Sequence, residues 1–429
     1  MRQFKRSEEF LIRAEAVIPL GSQTFSKSRA QYPLGVSPLF ITRAKGSRAW
    51  DLDGNEYIDF VNSLAAVTLG HHDPDVTAAV RTQLEDSGVI FSLPHPLEAE
   101  VAEIICDMVP CAEMVRFGKN GSDATAGAVR AARAFTRRDY IAVCGYHGWQ
   151  DWYIGTTSRN LGVPEATRNL THSFPYNDLN ALASLLDSRR DKFAAIVMEP
   201  MGVVEPILGY LEGVKELSHR HGALLIFDET ITGFRFANGG AQELFGVTPD
   251  IATFGKGIAN GYPLSAIAGR RDVMKFFEEI FFSFTMGGET LSLAAAKATL
   301  VKLQREPVTA RLAATGRRIM EGVDELIDRH KLRRRLSLTG HPSWNFLNIN
   351  EGEGGSPLEV KTLLMQELFQ RGILCCGAHN VCYAHSSSDV AQLLQAYDEA
   401  LGVVAASLNK GNVRDALLCE PLQPLFKVR

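Results

Sequence analysis

The chain has 429 residues, a formal net charge of −4 and a hydrophobic fraction of 45%. At about 150 residues per domain, this length predicts two or three domains with a large core. No basic block stands out, which disfavours nucleic-acid binding. Uncharged apolar runs stay below the roughly 18 residues of a membrane span, and the N-terminus lacks an apolar signal core. The seven cysteines show no zinc-ligand spacing, so we expect reduced thiols, no metal site and a cytoplasmic location.

The N-terminal segment, residues 1–60, precedes the regular part of the chain. It contains a predicted hairpin with strands at 49–52 and 57–60, joined by the turn signal Asp53-Gly54. We expect this segment to pack with the C-terminal part of the chain.

Residues 61–306 alternate short apolar runs with helical stretches. Continuous apolar runs are typical of strands buried on both faces of a largely parallel sheet. The predicted strands are 114–118, 140–145, 193–199, 223–228, 251–254 and 264–269, and the predicted helices include 124–135, 178–186 and 211–221. This rhythm predicts a large domain built on an open α/β sheet, with its ligand at the carboxyl ends of the strands.

The chain changes character near Pro307. A long helix reaches about residue 330, short strands follow near 343–349 and 372–376, and Ser388 is the predicted cap of a last helix. Residues 307–429 therefore read as a second, smaller α+β domain.

Two residues at predicted strand ends carry most of the functional information. Asp228 ends the run Leu224-Leu-Ile-Phe, and Lys256 lies between glycines just after the run 251–254. Pyridoxal phosphate needs an amine for a Schiff base and a carboxylate that keeps its pyridine nitrogen protonated. The alternatives are an exposed turn lysine and a structural ion pair or helix cap at Asp228. Thr230, two residues on, could pack against the ring face.

A glycine-containing turn, Phe117-Gly-Lys-Asn-Gly-Ser-Asp, follows a strand and opens a helix. Backbone N–H groups there, with the hydroxyl of Ser122 or Thr125, could hold a phosphate. The alternative is that Ser122 or Asp123 only caps the helix. A glycine pair at 287–288 before an alanine-rich helix is another possible anion site, or a plain helix start capped by Thr290 or Ser292.

Aromatic residues cluster after the strand 140–145. Glycines flank Tyr146-His147, and we expect Tyr146 to stack on a flat cofactor. For Trp149, Trp152 and Tyr153 the pattern favours a core aromatic cluster, with Trp149 also a candidate substrate contact.

Five motifs together resemble the class III aminotransferases of fold type I, which depend on pyridoxal phosphate. The resemblance covers nearly the whole chain and is strongest to the glutamate-1-semialdehyde 2,1-aminomutase branch. The motifs are Asn120-Gly-Ser-Asp-Ala, Tyr146-His-Gly, Glu199-Pro, Asp228-Glu-Thr-Ile-Thr-Gly-Phe-Arg and Phe254-Gly-Lys-Gly. The resemblance implies a mostly parallel seven-stranded sheet, a smaller α+β domain, and a homodimer whose subunits share each active site.

The resemblance also implies residue roles. Lys256 would form the Schiff base and move the substrate proton, and Asp228 would pair with the pyridine nitrogen. Thr285 would reach the phosphate bound by the neighbouring subunit. The other residues expected to contact the cofactor are Gly121, Ser122, Asp123, Tyr146, His147, Glu199 and Thr230.

The chain departs from the aminomutase pattern at residues that would hold a substrate carboxylate. Lys27 stands where that branch has an arginine, and a lysine lacks the bidentate fork. No arginine occurs between Arg371 and Arg414, so His379 or His385 is expected to line the pocket instead. Glu289, in place of an uncharged residue, is a further candidate substrate contact.

These departures predict a transaminase that uses an amino donor and the aldehyde or ketone of a sugar, aminocyclitol or similar polar metabolite. The alternatives are the aminomutase itself, an epimerase on the same scaffold, and a non-catalytic protein that kept the fold. A nicotinamide-dependent enzyme is disfavoured because no Gly-x-Gly-x-x-Gly follows an early strand.

Overall fold

A computed structural model describes residues 2–424. The chain forms two compact units. The first comprises residues 2–65, 69–73 and 311–424. The second comprises Ala66–Thr68 and Pro74–Ala310.

The strands of the described residues are numbered in chain order. They are β1 (Ile41–Lys45), β2 (Arg48–Asp51), β3 (Glu56–Asp59), β4 (Met114–Gly118), β5 (Tyr140–Cys144), β6 (Thr171–Ser173), β7 (Phe193–Met198), β8 (Leu224–Asp228), β9 (Ile251–Phe254), β10 (Ser265–Gly269), β11 (Leu336–His341), β12 (Trp344–Ile349), β13 (Ile373–Leu374) and β14 (Ala378–Asn380).

The α-helices are named by their bounds. They are Lys5–Glu15, Pro74–Thr82, Pro96–Met108, Gly121–Thr136, Asp151–Ile154, Glu165–Arg168, Leu179–Ser188, Tyr210–Arg220, Ala241–Phe245, Arg271–Met274, Thr290–Arg305, Val308–Arg329, Pro357–Gln370 and Ser387–Asn409. The segment Asn62–Ala65 is instead a left-handed turn of four non-glycine residues.

The second unit is built on a seven-stranded sheet with the order β4-β10-β9-β8-β7-β5-β6. Neighbouring strands β6, β5, β7, β8 and β9 run parallel, and β10 is antiparallel to β9 and β4. The predicted fold is confirmed. Six strands match their apolar runs closely, whereas β6, with three residues and the polar sequence Thr-His-Ser, was not predicted.

Both faces of this sheet are covered, which explains its continuous apolar strands. The helix Gly121–Thr136 packs small residues such as Ala124, Ala128 and Ala131 against one face. The helices Leu179–Ser188 and Tyr210–Arg220 cover the other face with larger aliphatic residues. The sheet is therefore held rigidly, and the residues at its carboxyl edge are fixed in place.

The first unit contains two smaller sheets, ordered β1-β2-β3-β13 and β11-β12-β14. The predicted hairpin is present as β2 and β3, and β13 pairs in parallel with β3. The last helix is capped by Ser386 through the Asp389 N–H at 3.1 Å, so the prediction of Ser388 as the cap is wrong. Across the residues described, no helix is long and apolar enough to traverse a bilayer.

Candidate active site

Asp228 ends β8 with its carboxylate 4% exposed. Its Oδ1 accepts from the Thr230 N–H at 3.1 Å, the Thr230 hydroxyl at 2.5 Å and the Thr253 hydroxyl at 3.3 Å. Burial by itself raises the pKa of Asp228, but the hydrogen bonds from His147 and Thr230 outweigh it and lower the pKa below its usual value. Asp228 is therefore an anion fixed in a dry site.

His147 is a buried hydrogen-bond partner of this anion. Its Nδ1 lies 2.9 Å from Asp228 Oδ2, and its Nε2 lies 3.1 Å from the Cys144 carbonyl oxygen. A carbonyl only accepts, so Nε2 carries a hydrogen, and an ionised carboxylate likewise receives a hydrogen from Nδ1. Both ring nitrogens of His147 therefore face buried oxygen atoms. This contact with Asp228 was not predicted, although His147 was expected to contact the cofactor.

Tyr146 and Glu199 come together at the ends of β5 and β7. The Tyr146 N–H donates to Glu199 Oε2 at 3.1 Å. Gly145, at φ +106°, permits this contact, because a Cβ there would lie 2.7 Å from Glu199 Oε2. The Tyr146 ring meets Tyr153 edge to face at 5.7 Å between centroids.

Ser122 lies in the first turn of the 16-residue helix Gly121–Thr136. Its hydroxyl oxygen accepts the Trp149 N–H at 3.3 Å, which leaves the hydroxyl proton able to point towards an anion. Asp123 turns back to accept the Asn120 N–H at 2.7 Å, so it caps the helix as the alternative reading proposed.

Three backbone segments converge beside this helix start. A Cβ added to Gly121 would lie 3.0 Å from Thr230 Cγ2. A Cβ added to Gly255 would lie 3.2 Å from the same atom and 3.7 Å from Gly121 Cα. Side chains are excluded here, so backbone N–H groups can approach a ligand closely.

Lys256 follows at once, with φ +42°, at the start of the 3₁₀ turn Lys256–Ala259. A left-handed non-glycine residue is strained and persists only where its surroundings hold it. Its neighbour Gly257 packs on the buried Thr68, whose hydroxyl would lie 2.5 Å from an added Cβ. Because β8 and β9 are adjacent and Asp228 pairs with Thr253, Lys256 and Asp228 share one edge of the sheet.

Several predicted residues have other surroundings. Thr285 is exposed in the turn that the Gly287 N–H closes onto the Phe284 carbonyl at 3.0 Å. Glu289 caps the helix Thr290–Arg305, in place of the predicted Thr290 or Ser292, and pairs with Lys119 at 3.0 Å. Trp149 is 65% exposed, so its predicted place in a core cluster is wrong, whereas Trp152 and Tyr153 are buried as predicted.

The remaining candidates lie in the first unit. Lys27 is exposed and donates from Nζ to the Ser63 hydroxyl at 3.0 Å. His379 is fully buried, with Nδ1 2.7 Å from Asn345 Oδ1 and Nε2 2.9 Å from the Tyr397 hydroxyl. Burial lowers the pKa of His379 to about 4. His385 is also buried and stacks on Phe60 at 4.2 Å. Both histidines thus have core partners.

Comparison with known proteins identifies the class of this site. Residues 31–390 match the family model of the class-III aminotransferases, and the chain belongs to that family. This confirms the resemblance drawn from the motifs. The protein is an enzyme, an aminotransferase whose cofactor is pyridoxal 5′-phosphate.

Individual relatives agree over almost their full length. The chain is 34% identical to a 3-aminobutyryl-CoA aminotransferase of Cloacimonas acidaminovorans (strain Evry), over 94% of this chain and 98% of that protein. It is 35% identical to a glutamate-1-semialdehyde 2,1-aminomutase 2 of Brevibacillus brevis, over 92% and 98%. The solved structure of FumI from Sphingopyxis sp. MTA144, in its PLP internal aldimine form, superposes with a TM-score of 0.89 at 27% identity, covering 96% and 99%.

The residues of the second unit fit this cofactor. The glycine-lined helix start and the Ser122 hydroxyl suit a phosphate, and the ionised Asp228 suits a protonated ring nitrogen. Tyr146, held by Glu199, lies on the same sheet edge as Lys256. Thr253 was not predicted, although a lone hydroxyl opposite Asp228 in an apolar strand could have signalled its contact.

Proposed function

We propose that this aminotransferase moves an amino group between an external amino donor and the aldehyde or ketone of a polar metabolite, such as a sugar or an aminocyclitol. The proposal assigns Lys256 as the covalent amine and Asp228 as the partner of the ring nitrogen.

The supporting observation is the environment of the residues that would hold a substrate carboxylate. In the stretch without arginine, His379 and His385 are buried and bonded to core groups, and the pKa of His379 is lowered by burial. Both rings are therefore committed to groups in the core of the first unit. Lys27 is a single ammonium bonded to a serine hydroxyl, which lacks the two-pronged geometry of an arginine. A substrate without a carboxylate beside its amine suits these residues best.

The roles of the other residues follow from their contacts. When bound, pyridoxal phosphate supplies an electron-withdrawing ring that stabilises the negative charge left as the substrate carbon loses its proton. Asp228, fixed by four hydrogen bonds, keeps a proton on the ring nitrogen, and His147 keeps Asp228 ionised. Lys256 Nζ would take the proton from the substrate carbon and deliver it to the C4′ carbon of the cofactor, which is the transfer that moves the amino group.

A homodimer with shared active sites is part of the proposal. Thr285 is exposed next to Met286, which is 52% exposed. An apolar segment nearby contains Leu93, which is 79% exposed. This segment is connected to the turn of Thr285 by the hydrogen bond from the Thr290 N–H to the Val89 carbonyl, at 2.9 Å. An apolar surface beside Thr285 fits a second copy that places this threonine at the neighbouring phosphate. Sedimentation analysis of the holoenzyme tests this, and Thr285→Ala is expected to weaken coenzyme binding without dissociating the dimer.

A screen of carbonyl acceptors against enzyme loaded with the aminated cofactor tests the substrate class. We expect hydroxylated aldehydes and ketones to restore the original cofactor spectrum, with an external donor required for each new cycle. The rival aminomutase would convert glutamate semialdehyde to 5-aminolevulinate without a donor. An epimerase would incorporate solvent deuterium without net amino transfer. Turnover of glutamate semialdehyde alone would refute the proposal.

A further inference from the structure

The second unit contains a cavity of about 710 Å³ at the carboxyl ends of β5, β6 and β7. Two of its lining residues, Gly145 and Glu199, also belong to the candidate active site, where they hold Tyr146. The cavity therefore extends the active site along the sheet edge, away from β9 and Lys256. Its volume lies within the range of roughly 300–1,000 Å³ that small-molecule sites have.

Five hydroxyl side chains line the cavity, and most of them have their proton engaged by the protein. Four of them donate their proton to a backbone carbonyl at 2.6–2.9 Å. The bonds are Tyr153 to Gly145, Tyr176 to Pro200, Thr156 to Tyr153 and Thr157 to Ile154. Because these four hydroxyls already donate their protons, towards a ligand they can act only as hydrogen-bond acceptors, through the lone pairs of their oxygen atoms.

The charges of the lining also favour a ligand that donates hydrogen bonds. Glu199 is the one acidic side chain among the lining residues, all of which lie in the described part of the chain, and none is Lys, Arg or His. Burial raises the pKa of the Cys144 thiol to about 12, so the thiol stays neutral. Apolar walls such as Val143, Phe174 and Val203 can face a carbon skeleton. Ser173 is a fifth lining hydroxyl, and the lining offers no cation to a carboxylate, which would lose hydration at a high cost beside Glu199.

We propose that this cavity binds the distal part of the substrate, and that this part carries hydroxyl or amino donors and no carboxylate. The inference rests on the proposed function and specifies its substrate class: an extended amino alcohol, amino sugar or polyamine, rather than an amino acid with a terminal acid.

Three amines of equal length test the preference: 6-amino-1-hexanol, 1,6-diaminohexane and 6-aminohexanoate. The rate at which each converts the cofactor of the holoenzyme gives kcat/KM. Calorimetry on the coenzyme-loaded Lys256→Ala variant gives binding without turnover. We expect the alcohol and the diamine to exceed the carboxylate by about tenfold or more in both measurements. Equal or better binding of 6-aminohexanoate would overturn the proposal.

A larger side chain at Gly202 should fill part of the cavity. Gly202 lines the wall, its φ lies outside the left-handed region, and an added Cβ would meet no atom within 4 Å. Gly202→Leu is expected to lower kcat/KM for the favoured six-carbon probes about tenfold and to leave methylamine unaffected, and Gly202→Ala is the matched control. Unchanged use of those probes by Gly202→Leu would overturn the proposal.

A charge reversal separates the cavity from general effects on the enzyme. Val204 lies in the wall and is 54% exposed, so Val204→Arg should be tolerated and should shift preference towards 6-aminohexanoate. If wild-type enzyme converts no amine, the proposed function fails. The calorimetric ranking of the three probes then still decides whether the cavity has the stated preference.

Discussion

His147 Nδ1 and Asp228 Oδ2 lie 2.9 Å apart, and both side chains are buried. Removing His147 would leave the buried carboxylate of Asp228 without one of its hydrogen-bond donors, which is costlier than losing the same bond at the surface. The pair thus ties the loop after β5 to the end of β8. It links the position of Tyr146 to the carboxylate that we propose as the partner of the ring nitrogen.

We predict that His147→Gln weakens coenzyme binding and slows the amine half-reaction, each by about tenfold or more, because Asp228 loses the hydrogen bond from the His147 ring. Titration of the apoenzyme with coenzyme and stopped-flow absorbance measure the two effects. Asp228→Asn is the companion variant. In the double variant the losses should fall short of additive, and fully additive losses would show that the two residues act independently.

Ser122→Ala should lower coenzyme affinity by about tenfold, since one hydrogen bond to a charged phosphate is lost. Equilibrium dialysis at neutral pH measures this. Ser188→Ala removes an exposed hydroxyl at the end of a helix, where it bonds the Leu185 carbonyl, and it should leave affinity unchanged. Equal affinity for both variants would place the phosphate away from Ser122.

Gly145→Ala should lower both the apparent Tm and the coenzyme affinity. The new Cβ is strained at φ +106° and collides with Glu199, which positions Tyr146. Gly162 has φ +89° with no atom within 4 Å of an added Cβ, so Gly162→Ala carries the conformational cost of about 1–2 kcal/mol alone. If both variants bind coenzyme equally well, the contact between Gly145 and Glu199 has no role in the site.

Much of the fold could be predicted because the sheet is buried on both faces. Strands such as β8 and β9 are continuous apolar runs, and the residues that end them, Asp228 and the lysine after β9, face a ligand edge. Short polar elements gave no such signal. Strand β6 has three residues, and Ser386 and Ser388 in a run of three serines are equivalent caps until the helix geometry is known.

The contacts between side chains could not be predicted from the sequence. Nothing in the spacing of His147 and Asp228 places them together, because their separation is set by how β5, β7 and β8 align. Likewise His379 lies in the stretch without arginine and was expected to line the pocket, yet it pairs in β14 with β12 and bonds the Tyr397 hydroxyl in the core.

His379 should make stability depend on pH. Its pKa of about 4 in the folded protein lies below the usual 6.5, so the unfolded chain binds a proton first as pH falls. Its contribution is complete above pH 6.5 and is lost progressively as pH falls towards 4, by roughly 3 kcal/mol at most. Urea unfolding between pH 7 and 4 measures this, and His379→Gln should show a shallower decline. Parallel declines would contradict the assignment.

The central claim is that the ε-amino group of Lys256 holds the coenzyme covalently. Borohydride reduction of the holoenzyme, followed by peptide mass spectrometry, tests it directly. We predict a reduced pyridoxyl label on Lys256 and its disappearance, with the absorbance band, in Lys256→Ala. A label on another lysine, or no label after coenzyme has been supplied, would contradict the account.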